Sequence, residues 1–144
     1  MFIESGHWEK TQYLLEKGMD VEVTRRKVIA DNIANADTPH FKRSEVTFEA
    51  GLRRALDSER STQEESVPAK VTDSRHIPFF KALDYKQVQP AVRMDYLTTM
   101  RNDGNNIDIE AETQAMLINQ LRYQSMTQMI SNNYRLLSSV MRMS

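Results

Sequence analysis

All four prolines of this 144-residue chain lie between Pro39 and Pro90, so both ends of the chain are free of proline. Proline in a helix interior removes a backbone hydrogen bond and destabilises the helix by about 3 kcal/mol. Proline-free ends around a proline-bearing centre therefore predict two long terminal helices with an irregular insert. The chain then divides into an N-terminal helical arm (residues 1–38), a central insert (39–101) and a C-terminal turn with a long helix (102–144).

The N-terminal helix is expected from about Glu9 to Ala36, where apolar residues recur at helical spacing. They form one stripe, namely Trp8, Leu15, Met19, Ile29, Ile33 and Ala36. Glu22 and Arg26 interrupt this stripe, so we expect a helix that is weak alone and needs a partner. Turn-forming residues ahead of Pro39 predict where it ends.

The C-terminal helix is the strongest predicted element. Asp108 is a suitable N-cap after a turn over residues 102–106, and nothing breaks the helix from there to Met143. About 36 residues give a length of roughly 54 Å. One row alternates steps of four and three, namely Met116, Gln120, Tyr123, Thr127, Ile130, Tyr134, Leu137 and Met141. Such a row is typical of a coiled-coil seam. We therefore predict a mainly α fold in which the two terminal helices pack as an antiparallel, coiled-coil-like pair.

A second apolar set on this helix lies off the predicted seam. It consists of Leu117, Leu121, Met126, Met129, Leu136, Val140 and Met143. Only four residues after position 110 are charged, namely Glu112, Arg122, Arg135 and Arg142. A helix that is apolar on more than one face is expected to be buried on more than one side. One N-terminal helix cannot cover all these sides, which favours contacts with other chains over an ordinary bundle within one chain.

The central insert is less regular. A short helix is expected at about 47–57, because Thr47 can cap it and Phe48, Leu52 and Ala55 share one face. Polar residues at about 57–70 predict a flexible linker. Short apolar pieces over residues 71–100 predict extended or weakly β segments.

Composition and motifs argue against several functional classes. The net charge is −1, so no global basic field favours nucleic acid, and no apolar run reaches the roughly 20 residues of a membrane span. The chain has no cysteine, and its three histidines do not fall at metal-ligand spacing. We predict no catalytic residue, no cofactor and no metal. The basic residues at 25–27, 42–43 and 53–54 are interpreted as a solvated helix face with contacts to acidic neighbours, and nucleic-acid binding is the lesser alternative.

Two stretches carry a resemblance to a known family. The sequence Val28-Ile-Ala-Asp-Asn-Ile-Ala-Asn-Ala-Asp-Thr-Pro39, followed by Phe41, is similar to the N-terminal signature of bacterial flagellar axial proteins, which include rod and hook proteins. The turn Asp103-Gly-Asn-Asn106 and the short chain point to the rod proteins within that family. The family usually has Gly-Tyr after Thr-Pro, whereas this chain has His40-Phe41. This departure leaves the turn geometry after Pro39 open.

The resemblance implies a non-catalytic building block of the proximal rod of the flagellar basal body. Such proteins leave the cytoplasm through the flagellar export apparatus without a cleaved signal peptide, and the N-terminus here shows no standard secretory signal. They assemble in the periplasm next to the MS-ring protein, FliE and the other rod proteins, and associate with copies of themselves. No membrane insertion is expected. An autonomous helical adaptor that binds one partner helix remains the alternative.

Three groups of residues are expected to carry this function. The assembly motif contains Asn32, Ile33, Asn35, Asp37, Thr38, Pro39 and Phe41. The helix-cap turn contains Asp103, Gly104, Asn105, Asn106 and Asp108. The helix seam and interface contain Trp8, Leu15, Ile29, Ile33, Met116, Leu117, Leu121, Tyr123, Ile130, Tyr134, Leu137 and Met141.

Overall fold

A computed structural model describes residues 5–64 and 83–143 of the chain. Helices dominate the described residues, which confirms the predicted mainly α fold. The elements in chain order are helix α1 (Ser5–Ala34), strand β1 (Ser44–Thr47), helix α2 (Glu49–Glu64), a 3-10 turn (Tyr85–Gln87), strand β2 (Ala91–Met94) and helix α3 (Ile109–Met143).

The start of α3 follows directly from its capping residue. The Asp108 carboxylate accepts hydrogen bonds from the backbone N–H groups of Glu110 and Ala111, at 2.9 and 3.3 Å. These bonds satisfy two of the N–H groups that have no partner within the helix. Glu110 and Glu112 in the first turn add negative charge at the positive end of the helix dipole.

Helix α2 is longer than the sequence predicts. It continues to Glu64, so the expectation of a linker beginning near residue 57 is wrong for residues 57–64. The Ser58 hydroxyl lies against the helix, donating to the Ala55 carbonyl at 3.0 Å, and accepts from the Leu83 N–H at 2.9 Å. The bond to Leu83 links α2 to a residue 25 positions away, a contact that the local sequence does not show. The remainder of the predicted linker, residues 65–70, lies outside the described residues.

The chain forms two compact units, and α1 and α3 pack together in the first of them (Met1–Val46 with Val92–Ser144). The two helices are antiparallel, since Asn32 contacts Glu112 whereas Met19 lies near Thr127. Strands β1 and β2 form a two-stranded sheet. At one end of this pairing the Asp95 N–H donates to the Arg43 carbonyl at 2.9 Å.

The second unit (Thr47–Ala91) has its own small core. Phe48 and Ala55 are buried there, and Gly51 lies so close to Val88 that an added Cβ would be 3.3 Å from its side chain. This core is the amphipathic face that the sequence predicts for the short helix.

Candidate assembly interface

The end of α1 and the turn before α3 come together in three dimensions, although about 65 residues separate them. Asn105 is 0% exposed, and its amide donates to the backbone carbonyls of Asn35, Ala36 and Thr38 at 3.2, 3.1 and 2.9 Å. Its side-chain oxygen accepts from the Ile107 N–H at 2.7 Å. Carbonyls at a helix C-terminus lack partners within the helix. One asparagine therefore closes the end of α1 and shapes the entry to α3.

Arg101 makes a second contact to the same helix end. Its guanidinium donates to the Ala36 carbonyl at 2.8 Å and pairs with the Asp37 carboxylate at 3.2 Å. A cation near a helix C-terminus is favourable because the helix dipole is negative there. The predicted assembly motif and the predicted cap turn thus form one junction, and Arg101 is a member that sequence reasoning missed.

The turn after Pro39 keeps a positive φ without glycine. His40 adopts a φ of 62°, and its N–H donates to the Asp103 carbonyl at 3.0 Å. The neighbouring Gly104 has a φ of 82°, and a Cβ there would lie 2.8 Å from the His40 ring. The left-handed region is strained for a residue with a Cβ. His40 therefore takes the conformation in which glycine is usual, and Gly104 leaves room for its ring.

Beyond this junction, a buried carboxylate ties three segments together. Glu112 is 0% exposed, accepts from the Asn32 amide at 3.3 Å and forms a salt bridge with Arg43. The Asn32 side chain also exchanges two hydrogen bonds with the Ser44 backbone, at 2.9 and 3.0 Å. Burial lowers the pKa of Arg43, but the hydrogen bonds that its guanidinium donates to Glu112 and Glu45, together with the charges of these carboxylates, outweigh burial and raise that pKa above its ordinary value.

A second buried contact lies farther along the two helices. The Asn119 amide donates to both the Glu22 carboxylate and the Glu22 backbone carbonyl, at 2.5 and 2.9 Å. Arg25 forms a salt bridge with the same carboxylate. Arg26 donates to the Asn119 side chain at 3.4 Å and lies 5.5 Å from the centre of the Tyr123 ring. Contacts within the chain thus engage two of the three basic residues at 25–27.

We call Glu22, Asn32, Glu112 and Asn119 the polar ladder. The largest fully buried side chains among the described residues are Glu112, Val21, Asn32, Asn105 and Asn119, and all of these except Val21 are polar. In the sequence, Glu22 reads as an interruption of an apolar stripe. This interruption could have indicated a buried polar contact, because a charge on the buried face of a helix needs a partner there.

The opposite side of α3 is apolar and exposed. We define the outer face as a row with helical spacing, namely Leu117, Ile118, Leu121, Met129, Leu136 and Val140, all of which are roughly half exposed or more. The exposed fraction reaches 67% at Leu136. A shallow apolar groove runs beside this face, lined in part by Leu15 and Met126. Contiguous exposed apolar surface of this kind marks an interaction site.

The predicted seam residues divide between the two sides. Ile29 is buried, and those that are partly buried are Trp8, Leu15, Ile33, Met116, Tyr123 and Ile130. Those that lie at the surface are Leu117, Leu121, Tyr134, Leu137 and Met141. The row of α3 residues that faces α1 differs from the predicted coiled-coil seam at every second position up to Thr127. Gln120 and Thr127 are exposed, and the neighbouring Asn119 and Met126 turn inward instead.

Other kinds of site find no support in the part of the chain that the structure describes. Within residues 5–64 and 83–143, no group of three His, Cys, Asp or Glu side chains could hold a metal ion. The helices in these ranges include none that is both long enough and apolar enough to cross a membrane.

Comparisons with known proteins agree with the resemblance. Residues 16–42 match the family model described as "Flagella basal body rod protein". The chain is 38% identical to the flagellar basal body rod protein FlgB of Borrelia hermsii, over 94% of this chain and 98% of that protein. It is 35% identical to FlgB of Borreliella burgdorferi, with the same coverage. It is also 30% identical to FlgB of Bacillus subtilis, over 88% of this chain and 89% of that protein.

Proposed function

This chain belongs to the FlgB family of flagellar basal body rod proteins and is a component of the flagellar basal body rod; we propose that it is a structural subunit of the proximal rod that couples the MS ring to the rest of the rod and transmits torque. The work is done by interface area, with no catalytic step. The proposal rests on the outer face of α3, whose exposed aliphatic side chains and Met129 stay uncovered by α1.

The chemistry of the outer face suits permanent contacts between helices. Burying a side chain such as Leu121 or Leu136 is worth about 1.5–3 kcal/mol, so the full row supplies a large driving force for association. Met129 and Val140 continue the row, and methionine adapts well to neighbours that are not identical. A face of this kind fits partners that are themselves apolar helices, which include other copies of this chain and related rod subunits.

The polar ladder and the junction suit the mechanical part of the role. Sliding of α1 along α3 would break the bond from Asn32 to Glu112 and the bonds from Asn119 to Glu22, and it would leave the buried Asn119 amide without these acceptors. The helix pair is therefore expected to resist axial shear as one body. A torque-bearing subunit needs this property, whereas a flexible adaptor does not.

The proposed partners are the MS-ring protein, FliE and the other rod proteins. We further propose that the chain reaches the periplasm through the flagellar export apparatus without a cleaved signal peptide. Family membership supports both statements. An autonomous helical adaptor is the competing function, because the groove beside Leu15 and Met126 could hold a single partner helix.

The test replaces two outer-face residues in a motile strain. We expect Leu121→Asp with Leu136→Asp to abolish rod assembly and swimming, since each change places a charge in an apolar interface. The matched control, Gln120→Asp with Ser131→Asp, alters two exposed polar positions that lie on another side of the same helix, and it should leave swimming unchanged. Basal bodies are counted by electron microscopy, and exported protein is measured by immunoblot.

Two results would contradict the proposal. One is normal rod assembly by the outer-face variant. The other is a purified parent chain that stays monomeric at micromolar concentration and binds one isolated helix tightly, which would favour the adaptor.

A further inference from the structure

The polar ladder lies along the buried side of the α1–α3 pair, where apolar residues would be expected. Glu22, Asn32, Glu112 and Asn119 are all at most 3% exposed. We infer that the polar ladder locks α1 and α3 into one antiparallel register and excludes the pairings in which α3 is displaced by seven residues. This inference concerns a single chain and does not depend on the proposed role in the rod.

A displacement by seven residues is the slip that such a helix pair must guard against. Seven residues make almost two turns, so the same face of α3 would still meet α1. In the observed register Asn119 meets Glu22. The residues seven positions away from Asn119 are Glu112 and Met126. One slip would place Glu112 against Glu22, and the other would place Met126 there.

Both slips are unfavourable for identifiable reasons. Two carboxylates facing each other in a buried site repel, and a carboxylate against a thioether loses its hydrogen bonds. Asn119 would meet Leu15 in one slip and Ile29 in the other, because these residues lie seven positions from Glu22. An unpaired buried amide is strongly disfavoured. Leucines in place of Glu22 and Asn119 would remove this contact, so that only Glu112 with Asn32 and Arg43 would still oppose a slip.

Cross-linking can read the register directly because the chain contains no cysteine. The observed register brings Thr127 Oγ1 within 3.8 Å of Met19 Sδ. Met19→Cys with Thr127→Cys therefore reports this register. Met19→Cys with Gln120→Cys, or with Tyr134→Cys, reports the two slipped registers, since these positions lie seven residues on either side of Thr127.

The reaction uses the purified full-length chain, a short bifunctional thiol reagent and isolation of the internally cross-linked monomer. With the polar ladder intact, we expect the observed-register pair to exceed either slipped pair more than about tenfold, as expected when a slip leaves buried groups unpaired. In the Glu22→Leu, Asn119→Leu background this ratio should fall at least about tenfold.

Two further backgrounds serve as controls. Asp20→Leu with Asn132→Leu removes the same kinds of group from exposed positions and should leave the ratio unchanged. Glu22→Gln with Asn119→Asp keeps the shapes and the hydrogen bond between the two side chains while moving the charge to the other helix, but it loses the bond from residue 119 to the Glu22 backbone carbonyl. The observed-register pair should therefore still exceed either slipped pair, by a smaller ratio than in the parent.

Three results would each overturn the inference. The first is a parent chain that gives no observed-register cross-link. The second is a leucine variant with the parent's ratio of observed-register to slipped cross-links. The third is a Glu22→Gln, Asn119→Asp variant in which slipped cross-links are as abundant as the observed-register cross-link. Circular dichroism shows whether the leucine variant is helical. If the leucine variant is not helical, the inference is tested by the cross-links of the Glu22→Gln, Asn119→Asp variant.

Discussion

The two sides of α3 reverse the usual distribution of residues in a helix. Its inner side meets α1 through Glu112 and Asn119, which are buried and hydrogen-bonded. Its outer face carries six apolar side chains, three of them leucines, that are roughly half exposed or more. In a helix of an isolated domain, apolar residues face inward and charges face outward. The reversal suggests that contacts within the chain supply geometry, while contacts between chains supply most of the apolar burial.

Buried polar contacts within the chain and apolar contacts between chains respond differently to mutation. Removing one partner of a buried ion pair is strongly destabilising, since the other charge stays buried. Removing one apolar group from an exposed face changes the isolated chain little and weakens association instead. Inner-side variants should therefore alter the stability of the single chain, and outer-face variants should alter assembly.

The largest effect on the single chain is expected from Glu112→Ala. Loss of this carboxylate removes the buried partner of Arg43 and Asn32, so the free energy of unfolding should fall by about 2–4 kcal/mol, less than for a fully buried pair because Arg43 is partly exposed and keeps Glu45. Urea denaturation at one fixed protein concentration measures it. Glu110→Ala is the matched control, because Glu110 is exposed in the same helical turn, and it should lower stability by less than about 1 kcal/mol. If Glu112→Ala and Glu110→Ala lowered the free energy of unfolding equally, the buried side of α3 would be no more important for stability than its exposed side.

A smaller loss is expected from Asn105→Ala at the junction. Three carbonyls just after α1 would each lose one hydrogen bond, and the buried Ile107 N–H would lose its acceptor, which should destabilise the chain by about 1–3 kcal/mol. The exposed Asn102→Ala serves as the control. Hydrogen exchange should show the loss first in the amides of the last turn of α1. Unchanged protection there would mean that Asn105 does not hold this helix end.

The turn at His40 should respond in the opposite direction. His40→Gly relieves a positive φ and is expected to raise stability by up to about 1 kcal/mol, because part of the gain is lost to the greater freedom of unfolded glycine. Gly104→Ala should lower stability, since its Cβ would meet the His40 ring at 2.8 Å. Thermal unfolding of both variants checks these signs. A loss of stability in His40→Gly would show that the ring contact matters more than the backbone strain.

The smallest expected effect is a shift in one titration. The Thr98 hydroxyl donates to the Asp95 carboxylate at 2.6 Å, and this bond, with backbone N–H groups of Leu97 and Thr98, lowers the pKa of Asp95 below its ordinary value of 3.8. The contribution of Asp95 to stability is thus present above the ordinary pKa and is lost as the pH falls through the lowered pKa.

NMR titration of the carboxyl carbon measures this shift. Thr98→Ala should move the Asp95 midpoint upward, whereas Thr99→Ala should not, because Thr99 contacts Lys42 instead. If the titration midpoint of Asp95 is the same in Thr98→Ala as in the parent, another group causes the lowered pKa.

The sequence predicts the ends of the helices better than their faces. Asp108 and the turn before it indicate the start of α3, and α1 ends within two residues of the predicted position because turn formers precede Pro39. Local chemistry sets such boundaries, so they can be read from a few adjacent residues. The predicted end of α2 falls seven residues too early, because residues 58–64 carry no apolar pattern that would indicate a helix.

The buried row of α3 could not be read from apolar spacing, because its members Glu112 and Asn119 are polar. Their burial depends on partners far away in the sequence, namely Arg43, Asn32 and Glu22. The junction was partly predictable, since both of its halves stand out as turn motifs. Their meeting through Asn105 required the three-dimensional structure.

Thiol labelling tests most directly whether other chains cover the outer face. Leu121→Cys introduces the only thiol of the chain, at a position that is 55% exposed in the single chain. The labelling rate is compared between the purified chain at low concentration and intact basal bodies, with denatured basal bodies giving the fully reacted signal. We expect rapid labelling of the isolated chain and at least about tenfold protection in the basal body, because a buried thiol is inaccessible to the reagent. Equal labelling rates in both states would contradict the claim that the outer face of α3 is an assembly interface.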